Sequence, residues 1–175
     1  MEEEFRMTKT VIINGANART SRVNAIQQYI VENVKEVSTI EVFDLPANDL
    51  ISANFASEAI KATNTLVEQA DVVVLLTPVY KGAYSGILKT YLDLIPQKGF
   101  ENKQIIPIAV GGTAHHLLAI DYALKPVISA LGATSISQGV FIVDKQIERT
   151  EQGFTIEEGI KERIHQQLIP DQVTV

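Results

Sequence analysis

Apolar and β-branched residues gather in five runs, at residues 10–14, 39–45, 71–79, 104–110 and 134–143, each set off by turn-forming residues, and these read as strands. Between them apolar positions recur at helical spacing over residues 21–34, 57–69, 86–95 and 114–131, and a last helical stretch over 156–168 closes the pattern. Strict alternation of strand and helix predicts an α/β fold, a parallel sheet covered on both faces. The first, third and fourth runs are almost continuously apolar, as strands buried on both faces are. The second, Thr39-Ile-Glu-Val-Phe-Asp-Leu45, alternates polar and apolar residues and belongs at an edge. That placement gives a five-stranded, doubly wound sheet of order 2-1-3-4-5, in which ligands lie beyond the carboxyl ends of the strands, around the switch point between strands one and three.

Composition narrows the picture. A length of 175 residues suits one domain, expected over 8–175, with residues 1–7 set aside as a flexible leader and Met7 as an alternative start. The absence of cysteine excludes disulfide frameworks, thiolate metal sites and a cysteine nucleophile, and fits a reducing cytoplasm. Glu2, Glu3 and Glu4 make an acidic start unlike a signal peptide, and no apolar run approaches the roughly 20 residues that span a bilayer. A net charge of −6 and the lack of a basic run exclude a nucleic-acid binder, so a phosphate-bearing ligand has to be held by a local pocket. His115 and His116 are adjacent and point to different faces of a helix, with only His165 elsewhere, so no metal site is expected.

Three strand-to-helix crossings carry the candidate chemistry. The first, Ile12-Ile-Asn-Gly-Ala-Asn-Ala-Arg-Thr-Ser-Arg-Val-Asn24, is rich in small and polar residues and leads from a buried strand into a helix. Its backbone N–H groups and the helix dipole suit an anion, with Asn17 in the loop, Thr20 or Ser21 as cap or hydroxyl donor and Arg22 as charge. An ordinary cap with solvated arginines has the same composition. Neither G-x-G-x-x-G nor G-x-x-x-x-G-K-[ST] is present, which removes the main support for dinucleotide-fold and P-loop readings. In the second crossing, Thr77-Pro-Val-Tyr-Lys-Gly-Ala-Tyr-Ser-Gly-Ile-Leu-Lys89, Pro78, Val79 and Tyr80 offer a flat apolar wall, Gly82 lets the chain turn beside it, and Lys81 offers charge to nucleotide phosphates. A tight turn with packed aromatics is the alternative. At the third crossing Gly111 and Gly112 allow a ligand to approach the backbone, and Thr113 can cap the next helix.

The Thr-Pro-Val-Tyr strand end and the Tyr-Ser-Gly-x-Leu-Lys-x-x-Leu-Asp helix start (Tyr84 to Asp93) resemble the flavin loop of the NAD(P)H-dependent FMN reductases. Taken with the run from Val110 through Val127, the chain is similar to the alkanesulfonate-utilisation type of that family. The resemblance implies a flavodoxin-like fold, FMN as cofactor, NADPH or NADH as hydride donor, and a flavin-dependent monooxygenase or another acceptor as partner. Family members begin the phosphate loop Gly-Ser-x-Arg. This chain has Gly15-Ala16-Asn17-Ala18 with Arg19 displaced by one, so the phosphate role passes to Ser21 and Arg22.

Pro126 falls inside the fourth helical pattern, where its missing N–H strands the carbonyl of Tyr122 and predicts a kink or a π-bulge. The resemblance implies that Tyr122 sits on an inserted π-helical turn near the flavin at a subunit interface. Apolar residues around much of this helix circumference independently predict a homodimer or homotetramer. Hydride transfer needs no catalytic side chain, because flavin and nicotinamide carry the chemistry and the protein orients them. Two other readings remain open at this point: a reductase that holds flavin tightly and acts on quinones, azo dyes or metal oxyanions, and a flavodoxin-like electron carrier.

Overall fold

The computed structural model describes residues 7–168. The proposed leader therefore lies outside the described residues except for Met7. Strands β1 (Thr10–Asn14), β2 (Val37–Glu41), β3 (Val72–Tyr80), β4 (Ala83–Tyr84), β5 (Gln104–Gly111), β6 (Ser135–Ile136) and β7 (Val140–Val143) form one sheet. Its order is β2-β1-β3-β5-β6, with β7 pairing β5 on the flank that β6 occupies lower down. Every pairing is parallel except that of β4, which folds back on the end of β3. Helices α1 (Val23–Asn33), α2 (Ala47–Ile51), α3 (Glu58–Gln69), α4 (Gly86–Leu92), α5 (Lys125–Ala130) and α6 (Glu158–His165) complete a flavodoxin-like α/β fold, together with a hairpin of β8 (Ile147–Thr150) and β9 (Gly153–Ile156).

The central strands send alternate side chains into two cores. Val11, Ile13, Val73, Leu75 and Ile105 meet Ile60, Leu88 and Ile128 of α3, α4 and α5 on one face. Ile12, Val72, Val74, Ile106 and Ile108 meet Ile26 and Ile30 of α1 and Ile160 and Ile164 of α6 on the other. Two-sided burial explains the continuously apolar runs. Ser57 and Ser85 cap α3 and α4 by accepting from the Ile60 and Leu88 N–H groups, which fixes where those helices start.

Several sequence boundaries are corrected. The edge strand ends at Glu41, opposite Asn14 where β1 leaves the sheet, and Val42–Asp44 turns into a 3-10 segment instead of continuing to Leu45. The predicted fifth strand, 134–143, is split. Ile105 accepts from the Ser137 N–H, so Pro107, two residues on, faces the same neighbour with no N–H to offer. Three residues, 137–139, therefore pass two of β5 before pairing resumes at Val140, a bulge that makes β6 and β7 separate strands. The long helix 114–131 is three pieces: a 3-10 turn at Ala114–His116, a π-helical turn at Ile120–Leu124, and α5. Pro126 lies at the start of α5, directly after the π turn. A turn closed from the fifth residue instead of the fourth does not need the proline's missing N–H. The last helix begins at Glu158, because Ile156 belongs to β9.

Candidate functional site

Loops leaving the carboxyl ends of β1, β3 and β5 converge on a cleft of about 360 Å³. The first of these loops is held by a polar network anchored on the buried Asn14. Asn14 closes β1, donating from Nδ2 to Asn24 Oδ1 and Gln27 Oε1, each at 2.7 Å, and accepting the Ala16 N–H at 2.9 Å. Gln27 donates in turn to Glu41. Asn24 donates back to the carbonyls of Ala18 (2.9 Å) and Arg19 (2.7 Å), so two asparagines on a strand end and a helix set the path between them. Neither stands out in the sequence, where a polar residue closing an apolar run looks like ordinary turn chemistry.

The second crossing locks onto the first. Ser85 Oγ donates to the Gly15 carbonyl at 2.6 Å, the Ser85 N–H donates to Thr77 Oγ1 at 2.9 Å, and the Thr77 hydroxyl donates to the Pro78 carbonyl. Gly15 is required by this approach, since a Cβ there would stand 2.7 Å from Leu88 Cβ. Ser85→Ala removes a fully buried hydroxyl that both satisfies a carbonyl and caps α4. The expected loss is about 2 kcal/mol of stability, measured as a lowered midpoint in denaturant; an unchanged midpoint contradicts the role of this hydroxyl in joining the loops.

The structure brings Asn17, Thr20, Ser21 and Arg22 together with Pro78, Val79 and Tyr80 and with Gly111 and Gly112 around the one cleft. Among the described residues, the backbone N–H groups of Asn17, Ala18 and Thr20 donate to no protein acceptor, and the first turn of α1 carries no acidic residue. Arg22 Nε donates to the Ile147 carbonyl at 2.9 Å. Arg19 faces elsewhere: its guanidinium pairs with Asp44 at 2.7 Å and lies 5.2 Å from the Phe43 ring centroid, beyond the end of β2. Lys81, Gly82, Thr113 and Tyr122 do not line the cleft. Lys81 and Gly82, with φ of 52° and 78°, form the tight turn of the β3–β4 hairpin. Thr113 accepts the His115 N–H. Tyr122 sits on the π turn, which packs beside β4, and is 78% exposed.

Two residues on the cleft, Asp144 and Arg149, are not among those the sequence pattern marks. They lie beyond β7, where the periodicity leads from the fifth strand straight to the last helix. The alternation of Ile147, Arg149, Phe154 and Ile156 about Gly153 is the hairpin signal there. A larger hollow of about 680 Å³, lined in part by Lys61, Asn64, Leu94 and Lys103, lies at the other end of the strands. It lacks the converging carboxyl-end loops, and the geometry of a doubly wound sheet favours the smaller cleft.

Residues 8–148 match the pattern of a family described as NADPH-dependent FMN reductase. The chain belongs to that family. It is 41% identical over 164 residues to an FMN reductase (NADPH) of Pseudomonas putida, covering 90% of this chain and 83% of that protein. It is 42% identical over 144 residues to an FMN reductase (NADPH) of Escherichia coli, covering 79% of this chain and 75% of the other. Among solved structures, the apo form of an NADH:FMN oxidoreductase superposes with a TM-score of 0.76 at 26% identity, covering 91% of this chain and 86% of that one. This family member is an oxidoreductase that reduces FMN with a nicotinamide nucleotide, NADPH by family and NADH in some relatives.

Proposed function

We propose that the carboxyl-end cleft holds FMN, with its phosphate in the loop Asn17 to Arg22 and its isoalloxazine between Pro78, Val79 and Tyr80 on one side and Gly111 and Gly112 on the other. The observation that carries this is the meeting, on a single rim, of an apolar wall with backbone N–H groups and an arginine that have, among the described residues, no acceptor and no carboxylate partner respectively. The donor set fits the group: a small-residue loop and the Ser21 hydroxyl suit a phosphate, and Gly112 leaves space where a side chain would stand. Bound FMN supplies the hydride acceptor. The loop residues fix its position, Val79 and Gly111 bound the ring, and the half-exposed Tyr80 leaves one approach open to the nicotinamide. Lys81, on the exposed hairpin tip, extends positive charge over that approach, and Thr113 keeps the third loop in shape. A crystal grown with FMN should place the phosphate within hydrogen-bond reach of Ser21. FMN in the hollow beside Lys61 and Lys103 contradicts the assignment.

Residues 8 onward act as one domain in this reading, since both cores share the same sheet. The enzyme works in the cytoplasm, where nicotinamide and flavin nucleotides are held, and passes reduced flavin to a monooxygenase or another acceptor. It does so as a homodimer or homotetramer. Leu117, Leu118 and Tyr122 stand 50%, 51% and 78% exposed on one short stretch, an exposed apolar cluster of the kind that marks a contact between proteins. Light scattering is expected to show an oligomer at micromolar concentration, and Tyr122→Ala to shift its distribution or alter flavin turnover. A monomer with an indifferent Tyr122→Ala variant contradicts this assembly.

A further inference from the structure

We propose that Arg149, on the hairpin beyond the sheet, is a specificity-determining residue that recognises the phosphate end of the flavin and so separates FMN from riboflavin. This rests on the flavin placement proposed above. The hairpin is firmly seated: Ile147 and Ile156 are buried in the same core as α1 and α6. Two arginines bind it to the first loop in opposite directions. Arg22 Nε donates to the Ile147 carbonyl at 2.9 Å, and Arg149 Nη2 donates to the Thr20 carbonyl at 2.7 Å. The Arg149 guanidinium also lies 5.9 Å from the Phe154 ring centroid. Arg149 and Arg22 thus border the same cleft as Thr20 and Ser21.

Neither guanidinium meets a carboxylate among the described residues, whereas nearby Arg19 is paired with Asp44. In a chain of net charge −6, two cations without carboxylate partners on one small-residue loop make that rim favourable for an anion. A guanidinium has five N–H donors, and each here has given one to a carbonyl, which leaves planar pairs suited to phosphate oxygens. The Asp144 carboxylate also borders the cleft, but its Oδ2 lies near Gly112, 4.0 Å from where a Cβ would stand, on the ring side and not the phosphate side. The family match stops at residue 148, one position short of Arg149.

The test is a titration of FMN and of riboflavin into the wild type, Arg149→Gln, Arg149→Lys and Arg22→Gln, with thermal unfolding of each. Arg149→Gln keeps an N–H for the Thr20 carbonyl and removes the charge. It should raise the FMN dissociation constant about tenfold and leave riboflavin unchanged, while Arg149→Lys recovers part of the preference. Equal weakening of FMN and riboflavin makes the hairpin a structural brace and overturns the inference. Loss of preference in Arg22→Gln but not in Arg149→Gln also overturns it and leaves the flavin site standing. An unchanged FMN preference in both variants means the phosphate lies elsewhere, and the site assignment fails together with the inference.

Discussion

Gly112→Leu is expected to weaken FMN binding about a hundredfold while leaving the protein folded. A Cβ at this position meets only Asp144 Oδ2 at 4.0 Å, so the backbone tolerates a side chain. The added atoms project into the cleft shared with Val79 and Arg22. Displacing an aromatic ring system from an apolar wall forfeits about 3 kcal/mol, or roughly a hundredfold in affinity. Its neighbour supplies the control: a Cβ on Gly111 would stand 2.8 Å from Phe141 Cζ, so Gly111→Ala should lower stability before it affects ligand. Quenching of flavin fluorescence, read beside thermal unfolding, separates the two. Full FMN affinity in a folded Gly112→Leu variant removes the third loop from the site.

Arg22→Ala is expected to weaken FMN by about ten- to a hundredfold, the worth of one or more hydrogen bonds to a charged group. The variant also loses the bond to the Ile147 carbonyl, a cost of about 1 kcal/mol in stability. Its diagnostic feature is ionic strength: wild-type affinity for FMN should fall as salt rises, and the slope should shrink in the variant. An FMN affinity independent of salt in the wild type contradicts a phosphate held by arginine in this loop.

How legible each segment is in the sequence depends on what it buries. Strands β1, β3 and β5 lie within a residue of their predicted bounds because both of their faces are covered, which leaves a continuous apolar run to mark each of them. Their order, and hence the rim on which the three loops meet, comes from alternation and the single edge-like strand. Pro126 announces the π turn because a missing donor is a local fact that no tertiary contact restores. Long-range pairing is not legible in this way. Pro107 breaks a ladder with a strand nearly thirty positions later, and its consequence depends on which neighbour it faces. The β8–β9 hairpin hides behind Glu148, Arg149, Thr150, Glu151 and Gln152, a polar stretch with little periodicity, and with it are hidden Arg149 and the rim beside Thr20. Arg19 shows the same limit from the other side: beside Thr20 and Ser21 in sequence, it is turned away by Asp44 and Phe43, which lie on a different strand's exit.

Reduction of FMN by this chain at the expense of a nicotinamide nucleotide is tested most directly by anaerobic rapid mixing. The protein and FMN are mixed with excess NADPH, and the oxidised-flavin absorbance band is monitored. Rapid, enzyme-dependent bleaching of that band, slowed or lost in Gly112→Leu, is the predicted result. Oxidised flavin that persists with NADPH and with NADH contradicts a reductase and leaves an electron carrier in its place.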